Sequence, residues 1–170
     1  MNILQANIFF NTGVEMLKNE LILHGNERFK YAIFIDFNKY ILRELLPDRF
    51  LKITSSHEVV IITSPQLRAL ALYYIKNIKN VIAVIDANKP LSDILNELLP
   101  ITHNEEHSTS NIQSGSYLTS KEIFLLTSLL NGKPAYRLAR DLSRSSKTIY
   151  SHKVNLSRKL KVKKLEHLII

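Results

Sequence analysis

The 170-residue chain contains no cysteine and no tryptophan, and only four of its residues are glycine. Without cysteine there is no disulfide, no thiolate metal site and no thiol nucleophile, a composition typical of the reducing cytoplasm. With so few glycines, the sequence offers no glycine-rich loop to hold a phosphate, and it shows no Ser/His/Asp set or paired carboxylates. We therefore predict that the protein is not an enzyme and carries no cofactor.

Long hydrophobic runs are also missing. Apolar runs such as Val59–Ile62 and Val81–Ile85 are far shorter than the ~18 residues that a transmembrane helix requires. The first residues, Met-Asn-Ile-Leu-Gln, place no basic segment ahead of an apolar stretch, as a secretory signal would. We expect a soluble, cytoplasmic protein.

Acidic residues are absent from the segment Arg144–Lys164, which carries eight lysine or arginine side chains. Residues 1–114 hold 11 basic and 12 acidic side chains, whereas residues 115–170 hold 12 basic and 3 acidic ones, a net charge of +9. Such an asymmetry is typical of a nucleic-acid-binding module joined to a part with another task. A basic helix on a membrane surface would need a bulky apolar face, and the basic region has one Phe and no Trp, so membrane binding is not expected.

The segment Thr102–Ser116 is small and polar apart from Ile112, which is typical of a linker. The sequence therefore predicts a regulatory or dimerisation domain over residues 1–101, a linker over 102–116 and a DNA-binding domain over 117–170. Two histidines and two glutamates lie close together in the linker, as metal ligands often do. Their H-N-E-E-H spacing, however, is not that of a zinc protease helix. We predict no metal site.

The N-terminal part alternates short apolar runs with segments of helical periodicity. The runs Tyr31–Phe37, Glu58–Thr63 and Val81–Ile85 are typical of strands buried on both faces. Helical spacing follows over residues 67–78 and, after Pro90, over 91–99. Strands that alternate with helices predict an α/β domain with a parallel sheet.

The C-terminal part is helical throughout by its periodicity. Thr119 and Glu122 form a capping-box pattern, and Asn131-Gly132 ends the helix that follows; its predicted buried face consists of Ile123, Leu125, Leu126, Leu129 and Leu130. A second helix is expected from about Ala135 to Leu142. It should bury Leu138, Ala139 and Leu142.

A third helix is expected from about Lys147 to Lys161, capped by Ser145 or Ser146. Two helices joined by such a short turn predict a helix-turn-helix in an all-α domain of four helices. The core stripe of the third helix comprises Ile149, Leu156 and Leu160, with the ring of His152 or the stem of Lys153 filling the gap. The opposite stripe comprises Lys147, Tyr150, Ser151, Val154 and Arg158, with Asn155 on its edge.

That stripe fits a DNA major groove, which admits one α-helix. Tyr150, Ser151 and Val154 are the predicted base-reading residues, and Asn155 is a weaker one. The amides of Lys147 and Thr148 suit a phosphate at a helix start. Further phosphate contacts are expected from Lys147, Lys153, Arg158 and Lys159.

The segment Leu118–Val162 resembles, without a gap, the LuxR/GerE-type helix-turn-helix of bacterial transcription regulators. The resemblance rests on Leu118-Thr119-x-Lys121-Glu122, Leu126, Gly132, Leu138-Ala139, Leu142, Ser145, Lys147-Thr148-Ile149, His152, Asn155, Arg158-Lys159-Leu160 and Val162. The stretch LSRSSKTIYSHKVN is especially similar to the Rcs-type branch. The resemblance implies that Lys147, Thr148, Tyr150, Ser151, Lys153, Val154 and Arg158 face promoter DNA.

The chain departs from this family at three places. Phe124 stands where a glutamate is common, Ser143-Arg144 replaces a Gly-Ile turn, and Lys161 replaces a terminal glycine. The fourth helix is reduced to about Lys164–Ile170. Its apolar residues, Leu165, Leu168 and Ile169, are expected to pack on their own domain rather than on a twin subunit.

The N-terminal part is faintly similar to a receiver domain. Asp36 stands where a phosphoacceptor would, and Thr63 or Ser64 stands for the receiver's hydroxyl residue. The first predicted strand, ILQAN, offers only Asn7 in place of a carboxylate, and the expected lysine position reads Ile85 or Asp86. Phosphoryl transfer depends on Mg²⁺ and charge stabilisation, so this resemblance implies a degenerate receiver that does not autophosphorylate.

These observations predict a sequence-specific DNA-binding transcription regulator of the bacterial cytoplasm, associated with the nucleoid when bound. It is expected to act as a homodimer or heterodimer on double-stranded promoter DNA, without control by phosphorylation. One alternative is a response regulator switched at Asp36. Another is an auxiliary subunit that works mainly through a partner regulator.

Overall fold

The computed structural model describes residues 7–54, 56–102 and 117–168. Its helices and strands follow in the order α1 Ile8–Leu23, β1 Ile33–Phe37, α2 Pro47–Thr54, β2 Val59–Thr63, α3 Arg68–Asn77, β3 Val81–Asp86, α4 Leu91–Leu98, α5 Ser120–Leu130, α6 Ala135–Asp141 and α7 Ser146–Lys159. Among these residues no helix is long and apolar enough to cross a membrane.

The N-terminal domain is built on a parallel three-stranded sheet in the order β1-β2-β3. Successive side chains of a strand point to opposite faces, and helices cover both. On one face, β2 residue Ile61 shares a core with Phe50 of α2 and Tyr74 of α3. On the other, Val60 shares a core with Leu21 of α1 and with residues of α4. The predicted α/β domain with a parallel sheet is confirmed.

The structure differs from the predicted first strand at Asn7. The predicted first strand included Asn7, but Asn7 is the N-cap of α1, and its side chain accepts a hydrogen bond from the backbone N of Phe10 at 3.2 Å. Asparagine is among the best N-cap residues because its oxygen satisfies an amide that the helix leaves unpaired. The strand prediction is therefore wrong at Asn7; residues 3–6 of that prediction lie outside the described residues.

The C-terminal end of the domain is hydrogen-bonded to the segment between α1 and β1. The Nδ2 of Asn26 donates to the carbonyl oxygens of Leu98, Leu99 and Ile101 at 3.5, 3.2 and 3.0 Å. The guanidinium of Arg28 forms a bidentate ion pair with Glu58, with Nη2 2.6 Å from Oε1, and its Nη1 donates to the carbonyl oxygen of Thr102. The bonds from Asn26 and Arg28 satisfy carbonyl groups from the last residue of α4 to Thr102 and so hold this segment against the domain.

The helical domain begins directly against α3. The backbone N of Leu118 donates to the carbonyl oxygen of Ala69 at 3.0 Å. The Nζ of Lys76 lies 3.9 Å from the centre of the Tyr117 ring, a cation–π arrangement. Leu118 itself is fully buried.

Over residues 117–168, the helical domain consists of three helices and a terminal 3₁₀ turn, Leu165–Leu168. The capping box of Thr119 and Glu122 is present, and the predicted core of α5 is buried except for Leu129, which is half-buried. Leu165 and Leu168 pack into their own domain, as predicted. The predicted fourth helix is instead the short 3₁₀ turn, and Ile169 lies outside the described residues.

Two helix ends differ from the prediction. Leu142 was expected to be buried, but α6 ends at Asp141 and Leu142 is its C-cap, with 39% of its surface exposed. The third helix, α7, ends at Lys159 rather than at Lys161. Both ends have the same cause, since the residue after each C-cap is in the left-handed region: Ser143 at φ 49° and Lys161 at φ 49°.

Ser143 and Lys161 are the positions at which the sequence departs from glycine in the family pattern. Each closes a Schellman-type helix end; at Ser143, the backbone N of Arg144 donates to the carbonyl of Ala139 at 2.8 Å. A side chain at positive φ costs roughly 1–2 kcal/mol. At Gly132, which ends α5 in the same way at φ 78°, there is no such cost.

We therefore expect Ser143→Gly to raise the free energy of unfolding by several tenths to about 1 kcal/mol, because relief of strain exceeds the added backbone entropy of glycine. Urea unfolding measures the change. The matched control is Ser157→Gly within α7, which should lower stability by about 0.5–1 kcal/mol. Equal losses in both variants would show that Ser143 is not strained.

Candidate nucleic-acid interface

The helix-turn-helix is formed by α6 and α7, and the start of α7 is set by Ser145. The Oγ of Ser145 accepts from the backbone N of Thr148 at 3.1 Å, so Ser145, not Ser146, is the cap. The side-chain oxygens of Ser145 and Thr148 also lie 2.9 Å apart. This cap fixes the first turn of α7, where Lys147 and Thr148 lie.

The two faces of α7 have the orientation that the periodicity predicts. Ile149, Leu156 and Leu160 are fully buried in the domain core. On the other side, 68% of the surface of Tyr150 and 48% of that of Val154 are exposed. The polar members of the same face are exposed as well: Lys147, Ser151, Asn155 and Arg158.

Hydrogen bonds orient three polar side chains of the exposed face. The Oγ of Ser151 donates to the carbonyl oxygen of Lys147 at 3.1 Å. With its hydrogen used inside the helix, this hydroxyl presents lone pairs outward and is suited to accept from a base amino group. The guanidinium of Arg158 donates to the Oδ1 of Asn155 at 2.8 Å, which leaves Asn155 with its amide hydrogens as outward donors.

Of the two residues proposed to fill the core stripe of α7, the structure favours Lys153. His152 is exposed, whereas Lys153 is half-buried. Lys153 lies four residues after Ile149 and three before Leu156, so it follows the buried stripe. A lysine stem can cover apolar surface while its ammonium stays at the edge; the alternative with the His152 ring is wrong.

Lys159 differs from the other predicted phosphate contacts. Its Nζ lies 2.8 Å from Oε2 of Glu122 and donates to the carbonyl oxygen of Tyr117 at 3.1 Å. Burial alone would raise the pKa of Glu122, but the bonds from Lys159 and Thr119 outweigh it and lower that pKa below its usual value. The half-buried Lys159 ammonium thus joins the end of α7 to the start of α5, and a phosphate contact from Lys159 would compete with this ion pair.

The sequence reasoning missed the exposed face of α6. Tyr136, Arg137 and Arg140 are exposed there, and Arg144 is exposed in the turn that follows. The one carboxylate of α6, Asp141, pairs with Lys133; the hydrogen bond from Lys133 lowers the pKa of Asp141, against a smaller desolvation effect. The spacing of Arg137 and Arg140 at i and i+3 was the available signal, because it places both on one side of α6.

Asp36, the one phosphoacceptor candidate, is half-buried within β1. Its Oδ2 accepts from the Nδ2 of Asn38 at 2.9 Å. In the sheet register Asp36 lies beside Ile62, whereas Thr63 lies beside Phe37 and Asp86. Paired residues of neighbouring strands share a face, so Asp36 and Thr63 point to opposite faces.

Thr63 and Asp86 have local partners of their own. The Oγ1 of the buried Thr63 donates to the carbonyl of Ser64 at 3.1 Å, and Oδ1 of Asp86 accepts from the backbone N of Asn88 at 3.0 Å. Within the described ranges there is no group of three or more His, Asp or Glu side chains that could hold a metal ion. The H-N-E-E-H segment, residues 103–107, lies outside those ranges.

Two family comparisons together span most of the chain. Residues 4–101 match the family described as the EcpR N-terminal domain. Residues 116–170 match the family described as bacterial regulatory proteins, luxR family.

Individual proteins are similar over nearly the whole length. The Vi polysaccharide biosynthesis protein TviA of Salmonella typhi is 27% identical over 165 residues, which cover 96% of this chain and 90% of that protein. The uncharacterized protein YqeH of Escherichia coli K12 is 25% identical over 158 residues, 92% of this chain and 73% of that protein.

Among solved structures, the response regulator RcsB in complex with DNA is similar at 20% identity with a TM-score of 0.38, covering 92% of this chain and 79% of that one. RcsB of Salmonella typhimurium is similar at 18% identity with a TM-score of 0.31, covering 82% and 74%. The family matches, taken with the exposed basic face of α7, identify this chain as a member of the EcpR N-terminal domain family that carries a luxR-type DNA-binding domain, and hence as a DNA-binding transcription regulator.

Proposed function

We propose that this regulator binds promoter DNA as a dimer, with α7 in the major groove, in the bacterial cytoplasm. The observation that carries the proposal is the composition of the exposed face of α7. Tyr150 and Val154 lie there in solvent between Lys147 and Arg158. In water, Tyr150 and Val154 have no favourable apolar contact. In a major groove, base edges and a thymine methyl group provide one.

The proposal assigns separate roles to the residues of this face. Tyr150, Ser151 and Val154 read base edges, and Asn155 adds a weaker contact. Phosphates are bound by Lys147, Thr148 and Arg158, and by the ammonium of Lys153, which lies at the edge of the buried stripe. These contacts position the helix without reading sequence.

The two family matches support a division of the chain into a domain over residues 1–101, a linker over 102–116 and a DNA-binding domain over 117–170. We assign dimerisation to the first domain. Because residues 1–114 are close to neutral and residues 115–170 carry a net +9, attraction to DNA is concentrated in the second.

A salt titration of binding tests the proposal. For the dimer on promoter DNA, log affinity should fall steeply and linearly with log salt, with a slope of roughly −0.9 for each phosphate neutralised. Random DNA of equal length is the control, and at any one salt concentration it should bind markedly more weakly. A flat response with equal weak binding to both DNAs would contradict the proposal and favour the alternative of an auxiliary subunit acting through a partner regulator.

We further propose that Asp36 is not a phosphoacceptor and that phosphorylation does not switch the protein. In support, Asn38 donates to the Asp36 carboxylate, and Thr63 lies on the opposite face of the sheet. The acid therefore has a local structural partner. Within the described residues there is no group of three or more His, Asp or Glu side chains that could hold the Mg²⁺ on which phosphoryl transfer depends.

Incubation of the protein with acetyl phosphate and Mg²⁺ tests this second proposal. We expect no acyl phosphate on Asp36 by mass spectrometry, and unchanged DNA affinity. The Asp36→Asn variant, treated in the same way, is the matched control. A stable acyl phosphate in the native chain that is absent from Asp36→Asn would establish the phosphorylation-switched alternative.

A further inference from the structure

Helix α1 carries apolar side chains on two opposite faces. Its inner face packs Val14, Leu17 and Leu21 against the sheet. On the outer face Phe9, Met16 and Leu23 are 86%, 61% and 79% exposed. A helix that is apolar on both sides is typical of the interior of a protein or an assembly, not of a solvated surface.

The outer residues follow a regular spacing. Phe9, Met16 and Leu23 recur every seven residues, the period that keeps one stripe of a helix facing a partner helix. Ile8, the residue before Phe9, lies beside the stripe and is exposed as well. The stripe therefore runs from the first to the last turn of α1.

We infer that this stripe is the contact with a second copy of the same chain, and that the two α1 helices pair antiparallel about Met16. The inference rests on the proposed function, because one chain has one helix-turn-helix and a dimer supplies the second. In the antiparallel pair Phe9 meets Leu23 of the other copy, and Met16 meets its own counterpart. The stripe is complementary to itself under the two-fold axis that such dimers have.

Charge and shape favour the antiparallel arrangement. In a parallel pair, Glu20 on the flank of the stripe would face the Glu20 of the other copy, and like charges in contact are unfavourable. In the antiparallel pair the two Glu20 residues lie eight residue levels apart along the helices, about 12 Å. Gly13 lies on the same flank as Glu20 and comes opposite the Glu20 of the other copy; the space around Gly13 is open, since nothing lies within 4 Å of where a Cβ would be, and this lets a partner helix approach closely.

The absence of cysteine from the chain permits a direct test with single cysteines. Disulfides form only when the two Cα atoms come within about 7 Å of each other. Met16→Cys should form a covalent dimer under mild oxidation, and Leu51→Cys, on the exposed surface of α2, should not. Phe9→Cys alone should stay monomeric on a non-reducing gel, while a mixture of Phe9→Cys and Leu23→Cys chains should cross-link.

Light scattering supplies the second measurement. The native chain should have twice its single-chain mass of 19.6 kDa, and Met16→Glu should return it to the single-chain mass with its far-UV circular dichroism retained. Cross-linking of Phe9→Cys with itself would overturn the antiparallel arrangement. A native dimer that Met16→Glu leaves intact, or a native chain that is monomeric, would overturn the inference.

These outcomes are distinguishable from failure of the proposed function. If Met16→Cys cross-links but the native dimer shows no preference for promoter DNA, the DNA proposal fails and the α1 contact stands. If a monomer binds promoter DNA with a steep salt dependence, the α1 contact fails and the DNA proposal stands in its monomeric form.

Discussion

Leu156→Ala is expected to lower the free energy of unfolding of the helical domain by about 2–5 kcal/mol, the usual cost of truncating a fully buried leucine. Leu156 lies on the inner face of α7, in the same core as Ile149 and Leu160. Its removal leaves a cavity between α7 and the rest of the domain. Since the whole domain is small, a loss of this size is a large part of its stability, and DNA binding should be lost with it.

The matched control is Val154→Ala, two residues away on the same helix. Val154 is exposed, so its truncation should change stability by less than about 0.5 kcal/mol. Urea unfolding gives the free energies, and hydrogen exchange of the α5–α7 amides shows where protection is lost. Similar losses for both variants would mean that α7 is not oriented as described.

The second large effect separates the α7 residues that bind phosphates from those that read bases. Lys147→Ala should weaken binding to all DNA sequences by the same factor and reduce the salt slope by about 1 per protomer, because a phosphate contact is lost. Ser151→Ala and Val154→Ala should instead cost about 1–3 kcal/mol on the preferred operator, roughly fivefold to 150-fold in affinity, and little on random DNA.

Competition binding with operators that differ at single positions measures this contrast. Each reading variant should lose its preference at one base pair, while Lys147→Ala should keep the full preference. The reverse result would place Lys147 over the bases and would mean that the helix sits in the groove in another register. It would leave the fold unaffected, since all three side chains are exposed.

Helical periodicity was enough to predict which face of α7 is buried and which is exposed. Ile149, Leu156 and Leu160 recur at helical spacing, and that spacing alone fixes which side chains point away from them. The capping box at Thr119 and the glycine end at Gly132 are similarly local, because their partners are three residues or fewer away. All of these features were predicted from the sequence and are present in the structure.

Features that depend on distant partners were not predicted. Lys159 looks like any basic residue near a DNA-facing stripe, but its partner Glu122 lies 37 residues earlier in the chain. Asp36 lies one residue before the end of its apolar run and Thr63 ends another, and only the sheet register shows that they point to opposite faces. Asn7 was assigned to a strand because the short run before it fits either element, and such ambiguity is typical of short apolar segments.

The sequence by itself determined the chemistry of the chain: one basic helical domain, one nearly neutral α/β domain, and an α7 with a buried and an exposed face. These properties follow from composition and from patterns repeated within a few residues, which the backbone geometry of helices and strands translates directly. Tertiary structure decided which charges remain available and which apolar faces remain uncovered. Packing brings Lys159 to Glu122 and leaves Phe9, Met16 and Leu23 of α1 in solvent, and neither outcome is encoded in any local pattern, because both depend on which elements meet in space.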